Sequence, residues 1–141
     1  MISFSVLGKP VGKGRPRFST ANGFPRSYTP QKTVEFENLV RLMFPMDGYK
    51  MEGNITVVIT AVFPIPKSVS KKKRAALIDA PYPHKPDCDN ICKSVLDALN
   101  GIAYDDDSQV TMVVVRKKYG ETPCTEVTMY EEHELDDCKL L

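Results

Sequence analysis

Two aspartates, Asp87 and Asp89, flank one cysteine at what reads as the mouth of a helix, and Asp105, Asp106 and Asp107 follow soon after that helix should end. Like charges this close repel, and proteins tolerate them mainly where a cation neutralises them. Carboxylate oxygens suit a hard ion such as Mg²⁺ or Mn²⁺, and ions of that kind activate water for attack on phosphate esters. A single Asp before a helix is usually a cap contributing about 1 kcal/mol. Two of them, followed by Asn90 and with an acidic triplet close behind, point instead to a metal site. Spacing alone does not choose which member of the triplet faces inward.

Lys93 stands four residues after Asp89, and Asp97 four after Lys93, so the three share a helical face. Two readings stand side by side. The side chains form a surface ion-pair ladder worth about 0.3–0.5 kcal/mol per pair, or Lys93 meets a phosphate oxygen and offsets charge that builds up during displacement. His84 lies in a stretch with Pro81, Pro83 and Pro86 and reads as solvent-facing rather than as a general base.

The elements that must position these residues follow from periodicity and punctuation. Residues 2–7 alternate as a first strand. Residues 8–26 are rich in Gly, Pro and basic side chains and read as a loop or irregular ribbon. Thr29 offers an N-cap, with Pro30 at the first helical position. Val34, Phe36, Leu39, Val40, Leu42 and Met43 then give a helical apolar stripe, stopped by Pro45. Residues 55–63 form a buried strand. Residues 68–79 read as a short basic helix packing through Ala75, Ala76, Leu77 and Ile78. A helix over residues 90–99, capped by Asp87 or Asp89, packs through Ile91, Val95, Leu96, Ala98 and Leu99 and stops at Asn100-Gly101. Residues 110–119 and 125–130 are strands around a turn at 120–123 and read as an antiparallel hairpin.

At 141 residues with 42% hydrophobic content, the chain fits one domain with one core. The expected fold is α+β, a mixed sheet with helices packed on it. The folded domain spans residues 1–131, and residues 132–141 form an acidic, poorly ordered tail. No apolar run approaches the ~18–20 residues of a membrane span, and the N-terminus lacks the form of a signal peptide, so a cytoplasmic protein is expected. Cys88, Cys92, Cys124 and Cys138 lack the grouping of a zinc site and read as free thiols.

The net charge of +1 conceals a separation of signs. Residues 1–34 hold Lys9, Lys13, Arg15, Arg17, Arg26 and Lys32 and no acid. A second basic run holds Lys67, Lys71, Lys72, Lys73 and Arg74, whereas acid collects at the metal candidate and in the tail. Basic segments around an acidic centre suit a polyanion held beside a metal. The run Gly-Lys-Pro-Val-Gly-Lys-Gly-Arg-Pro-Arg-Phe adds backbone freedom and an aromatic, a set suited to wrapping phosphates and stacking on a base.

Residues 85–101, Lys-Pro-Asp-Cys-Asp-Asn-Ile-Cys-Lys-Ser-Val-Leu-Asp-Ala-Leu-Asn-Gly, with the later Asp-Asp-Ser-Gln-Val, resemble the RusA family of Holliday junction resolvases. That family's pattern, Asp-x-Asp-Asn-x-x-Lys-x-x-x-Asp-Ala-Leu and then Asp-Asp-x-Gln-Val, is met by Asp87, Asp89, Asn90, Lys93, Asp97, Ala98 and Leu99, then Asp106, Asp107, Gln109 and Val110. The similarity runs over roughly residues 5–130. It implies a Mg²⁺-dependent (or Mn²⁺-dependent) homodimeric endonuclease of bacterial or phage origin. Such an enzyme cuts four-way DNA junctions by paired symmetric nicks in recombination and repair, with no small-molecule cofactor. By motif position Asp87, Asp89 and Asp107 are the metal ligands and Lys93 the catalytic lysine. Asn90 and Asp106 support them. From the charge of the two basic segments, Lys9, Lys13, Arg15, Arg17, Arg26, Lys71, Lys72, Lys73 and Arg74 are expected to contact DNA. Asp105 is an extra acid, and the basic run at 71–74 departs from the pattern. The main rival is a non-cleaving binder of branched DNA with the same fold; a more distant one is a metal-binding structural protein.

Overall fold

The computed structural model describes residues 1–20 and 23–137. Its chain order is β1 (Ile2–Leu7), β2 (Arg17–Ser19), β3 (Arg26–Tyr28), α1 (Gln31–Met43), β4 (Ile55–Pro64), α2 (Lys71–Leu77), α3 (Cys88–Leu99), β5 (Val110–Gly120) and β6 (Cys124–Glu131). A 3₁₀ turn at Asp107–Gln109 precedes β5, and another at Glu132–Asp137 follows β6.

β4 organises the molecule because it is apolar on both faces. It lies inside a four-stranded sheet of order β1-β6-β4-β5, antiparallel to β6 and parallel to β5. Ile55, Val57, Ile59, Ala61 and Phe63 alternate onto one face, where Phe4, Val6, Val127 and Met129 join them. Phe36 and Val40 of α1, and Ile91, Val95, Ala98 and Leu99 of α3, close over this face. Each such aliphatic side chain contributes about 1.5–3 kcal/mol on burial. The result is one α+β domain with a mixed sheet and three α-helices.

The expected hairpin between the last two strands is not formed. β4 lies between β5 and β6, and residues 121–123 cross over its end. A strand with two apolar faces gains most when both its edges are paired, and β4 outcompetes the local pairing. The crossing is tight: a Cβ on Gly120 would lie 2.5 Å from Val62 Cγ1.

Two further expectations change. In α1, Phe36 and Val40 are buried together with Thr33 and Glu37, and Phe44 follows at the C-cap, whereas Leu39, Leu42 and Met43 are exposed. Positions 33, 36, 37, 40 and 44 fall on one side at 3.6 residues per turn, whereas Leu39 and Met43 fall off its flank and Leu42 on the opposite side. Pro30 is the N-cap rather than the first helical residue. In α2 no residue is buried, and Ile78 is exposed. Four consecutive apolar residues encircle a seven-residue helix rather than forming a side for it.

β2 and β3 form a separate two-stranded ribbon in the loop region. Part of the acidic tail adopts the second 3₁₀ turn, where Glu134 meets the N-terminal ammonium. Residues 138–141, Cys138 among them, lie outside the described residues. Cys88, Cys92 and Cys124 are free thiols. Among the described residues, no helix is long and apolar enough to cross a membrane.

Candidate metal and nucleic-acid site

α3 returns the chain from the end of β4 to the start of β5, so it runs against both parallel strands and its N-terminus sits at their C-terminal ends. The proline-rich segment before it is held firmly there. The Tyr82 N–H donates to the Lys117 carbonyl at 3.1 Å, and the Tyr119 N–H to the Ala80 carbonyl at 2.9 Å. The Tyr82 ring stacks on Phe63 at 4.0 Å and meets Tyr119 edge-on at 5.0 Å. Lys117 then reaches across, its Nζ donating to the carbonyls of His84 at 2.7 Å and Pro86 at 2.9 Å. His84 is exposed, edge-on to Tyr82.

This segment delivers Asp87 as the N-cap residue of α3, with Asp89 in the first turn. The Asp87 carboxylate accepts no capping hydrogen bond. Asp87 is half-exposed beside Lys85 Nζ at 3.0 Å, and Asp89 is exposed with no ion pair among the described residues. Both lie at the positive end of the helix dipole, which favours negative charge there. No backbone N–H of the first turn claims the Asp87 carboxylate, which leaves it available to a cation.

The ladder reading of Lys93 does not hold. Lys93 is exposed and has no ion pair among the described residues, and Asp97 pairs with Lys13 at 3.2 Å instead. The Lys13 ammonium, only 18% exposed, also donates to Glu37 Oε1 at 2.6 Å. Burial alone would lower its pKa, but its bonds to Glu37 and Asp97 outweigh that and raise it. The Lys13 N–H donates to the Asn90 carbonyl at 2.8 Å, and Ser94 Oγ to the Val11 carbonyl at 2.9 Å. A Cβ on Gly12 would lie 2.7 Å from Pro86 Cβ and 3.1 Å from Asn90 Cβ. The basic loop is thereby laid against the start of α3, which carries Asp87 and Asp89.

The acidic triplet sorts itself by partner. Asp105 pairs with Lys50 at 3.1 Å. Asp106 is the N-cap residue of the 3₁₀ turn, and the Ser108 hydroxyl beside it holds its carboxyl below the usual range. Gln109 Oε1 accepts from the N–H groups of Asp105 at 3.0 Å and Asp106 at 3.1 Å, and its Nε2 donates to the carbonyls of Met51 and Gly53 at 3.2 Å each. Asp107 has no ion pair among the described residues. Nearby, Tyr104 is fully buried, with its hydroxyl on the Leu96 carbonyl at 2.7 Å. Burial first, and the Asp107 charge second, push its pKa far up.

Asp87 and Asp89 stand at the N-terminal end of α3, whereas the triplet follows the helix C-terminus and leads into β5. Within the single chain, no three His, Cys, Asp or Glu side chains among the described residues come together as a metal cage.

Of the basic residues, Lys9, Arg15, Arg26, Lys71, Lys72 and Lys73 are exposed and free of ion pairs among the described residues. Arg74 is partly covered and donates to the Pro66 carbonyl at 3.2 Å. Arg17 begins β2. Lys13 is committed to Glu37 and Asp97 inside the protein, which sets it apart from the others. Sequence reasoning passed over Lys117 and the latch formed by Gln109. The signal for Lys117 was present: in Val113, Val115, Lys117, Tyr119 a lysine takes an inward position of an alternating strand.

A protein of Bacillus subtilis (strain 168), "Uncharacterized protein YqaN", is 40% identical over 136 residues, covering 92% of this chain and 96% of its own length. A family model described as "Endodeoxyribonuclease RusA" matches residues 8–130, a span holding both Asp pairs, Lys93 and the loop that crosses them. The chain belongs to the RusA family of endodeoxyribonucleases.

Proposed function

We propose that this protein is a divalent-metal-dependent endonuclease that resolves four-way DNA junctions as a homodimer. The observation that supports this most is the start of α3: Asp87 at the N-cap makes no capping hydrogen bond and meets only the exposed Lys85, Asp89 in the first turn has no ion pair among the described residues, and the unpaired Lys93 stands one turn on. The donors fit a hard ion, being carboxylate oxygens, with that of Asp87 free of a capping hydrogen bond. Asp87, Asp89 and Asp107 would hold Mg²⁺ or Mn²⁺, which when bound lowers the pKa of a water and offsets phosphate charge.

The chain's own residues supply the rest. Lys93 projects from the same helical face as Asp89 and offsets charge on the phosphoryl oxygens, with the 3′ oxygen as leaving group. Lys117 fixes the segment that carries Asp87. Asn90 ties the basic loop to α3 through its carbonyl. Because no three acids close into a cage within one chain among the described residues, a second copy would bring its Asp107 to complete the set. A two-fold dimer built this way has two equivalent centres, matching paired nicks. Lys9, Arg15 and Arg26 and the knob of Lys71, Lys72 and Lys73 hold the phosphate backbone, so binding weakens steeply with salt.

The test separates binding from cutting. Asp87→Asn, Asp89→Asn and Asp107→Asn should each bind a labelled synthetic junction as the wild type does and lose Mg²⁺-dependent nicking. Retained nicking by any of them contradicts its assignment. Tight binding by the wild type with no nicking under any divalent ion leaves a non-cleaving binder of branched DNA.

A further inference from the structure

The ribbon of β2 and β3 has a composition that packing inside the protein does not explain. Arg17 pairs with Tyr28, Phe18 with Ser27 and Ser19 with Arg26. Directly paired residues share a face and successive residues alternate, so Phe18 projects from one face and Tyr28 and Arg26 from the other. Both faces are open: Phe18 is 78% exposed and Tyr28 50%, and Phe24 in the connection between the strands is 70% exposed. A hairpin that stabilises itself on a core buries one face, and an isolated two-stranded ribbon is marginal in water. Here neither face touches the core, and each offers an aromatic ring to whatever lies outside.

The root of the ribbon, by contrast, is tightly held. The Gly14 N–H donates to Thr33 Oγ1 at 3.0 Å. A Cβ on Gly14 would lie 2.7 Å from Pro30 Cγ, and Gly12 has the same close fit against Pro86 and Asn90. The ribbon therefore springs from a fixed point beside Asp87 and Asp89. Around it Lys9, Arg15, Arg26 and Lys32 are exposed, and residues 1–34 contain no acid. Three exposed rings among unpaired cations describe a surface that takes a polyanion with flat, apolar faces. Such rings stack on unpaired bases of any sequence, while arginines take the flanking phosphates.

We infer that this ribbon is a base-stacking wedge: Phe18 and Tyr28, on its opposite faces, insert against bases unstacked at the branch point of DNA bound beside Asp87 and Asp89. The inference rests on the branched-DNA reading above. It assigns to the ribbon a task distinct from charge, namely opening the centre of the junction and preferring it over plain duplex.

The test uses Phe18→Ala, Tyr28→Ala and Phe18→Leu in the full chain, without divalent ions so that cleavage plays no part. The probes are a four-way junction carrying 2-aminopurine at the branch and a linear duplex of the same sequence. Wild-type protein should raise the 2-aminopurine fluorescence. Each alanine variant should lower junction affinity by about 5- to 150-fold, leave duplex affinity unchanged and lose most of the fluorescence rise. Phe18→Leu should resemble the alanine variant, because bulk without a ring does not stack, and Phe18→Trp should restore the signal. Wild-type affinity and fluorescence in the alanine variants would overturn the wedge while leaving the nuclease reading intact. A change of oligomeric state in their place would overturn it in favour of a protein interface. A wild-type protein that binds junction no better than duplex would overturn the branched-DNA reading itself.

Discussion

Asp97 and Lys93 show how one side chain's partner decides another's role. Lys13 takes Asp97 and Glu37 into a half-buried cluster at the junction of α1 and α3, which leaves Lys93 without a counter-charge. Lys93→Ala should therefore fold normally and lower single-turnover cleavage about 10²-fold, with little effect on junction binding. An unchanged rate would return it to the solvated surface. Lys13→Met should instead act on stability, costing about 1–3 kcal/mol because two acids lose their partner in a partly desolvated place. The folded-state pKa of Lys13 is raised above its ordinary 10.5, so its contribution is complete below that pH and fades as pH climbs through the higher folded value. Urea unfolding of wild type and variant should show the full difference at pH 7 and a shrinking one at the alkaline end. The spacing of charges in the sequence revealed the shared helical face of Asp89, Lys93 and Asp97. It did not reveal that a lysine some eighty residues earlier would arrive first, because that depends on how the loop crosses α3.

Among the elements, local pattern and long-range competition divide the outcome. β1, β4 and α3 follow their apolar pattern closely, since burial of one face rewards the same residues that the pattern marks. The hairpin failed because two strands joined by a short turn usually pair, and nothing in residues 110–131 says that β4 will come between them. That information resides in β4, whose apolar character on both faces demands two neighbours. The exposed Leu39, Leu42 and Met43 and the uncovered α2 likewise depend on which side the sheet lies. The loop of residues 9–16 was legible as irregular, but its close fit was not, because a glycine's neighbour is a tertiary fact. Gly12→Ala tests it. The added methyl meets Pro86 Cβ at 2.7 Å, and overpacking of this kind costs about 1–3 kcal/mol. Thermal unfolding should fall accordingly. Cleavage should fall by more than junction binding, because the loop is lifted from the end of α3 that carries Asp87 and Asp89. An unaltered melting temperature and rate would mean that the loop does not bear on the site.

At the scale of the whole molecule, the carboxylates named by the motif are divided between the two ends of α3, and no metal cage closes within one chain among the described residues. The motif singles out Asp87, Asp89 and Asp107 as the proposed ligands but carries no sign of the distance between them, because the same spacing is compatible with a loop that folds back and one that does not. The account therefore makes the dimer part of the chemistry and not only of the symmetry. Mixed dimers test this most directly. A heterodimer of one Asp89→Asn chain and one Asp107→Asn chain retains one intact centre if each centre draws Asp107 from the opposite copy, and none if each centre is built within one chain. Each homodimeric variant should be inactive. The account predicts that the purified heterodimer, with Mg²⁺ and a labelled four-way junction, nicks one strand of the junction and does not make the paired cut. An inactive heterodimer formed from stably folded, junction-binding chains would contradict it.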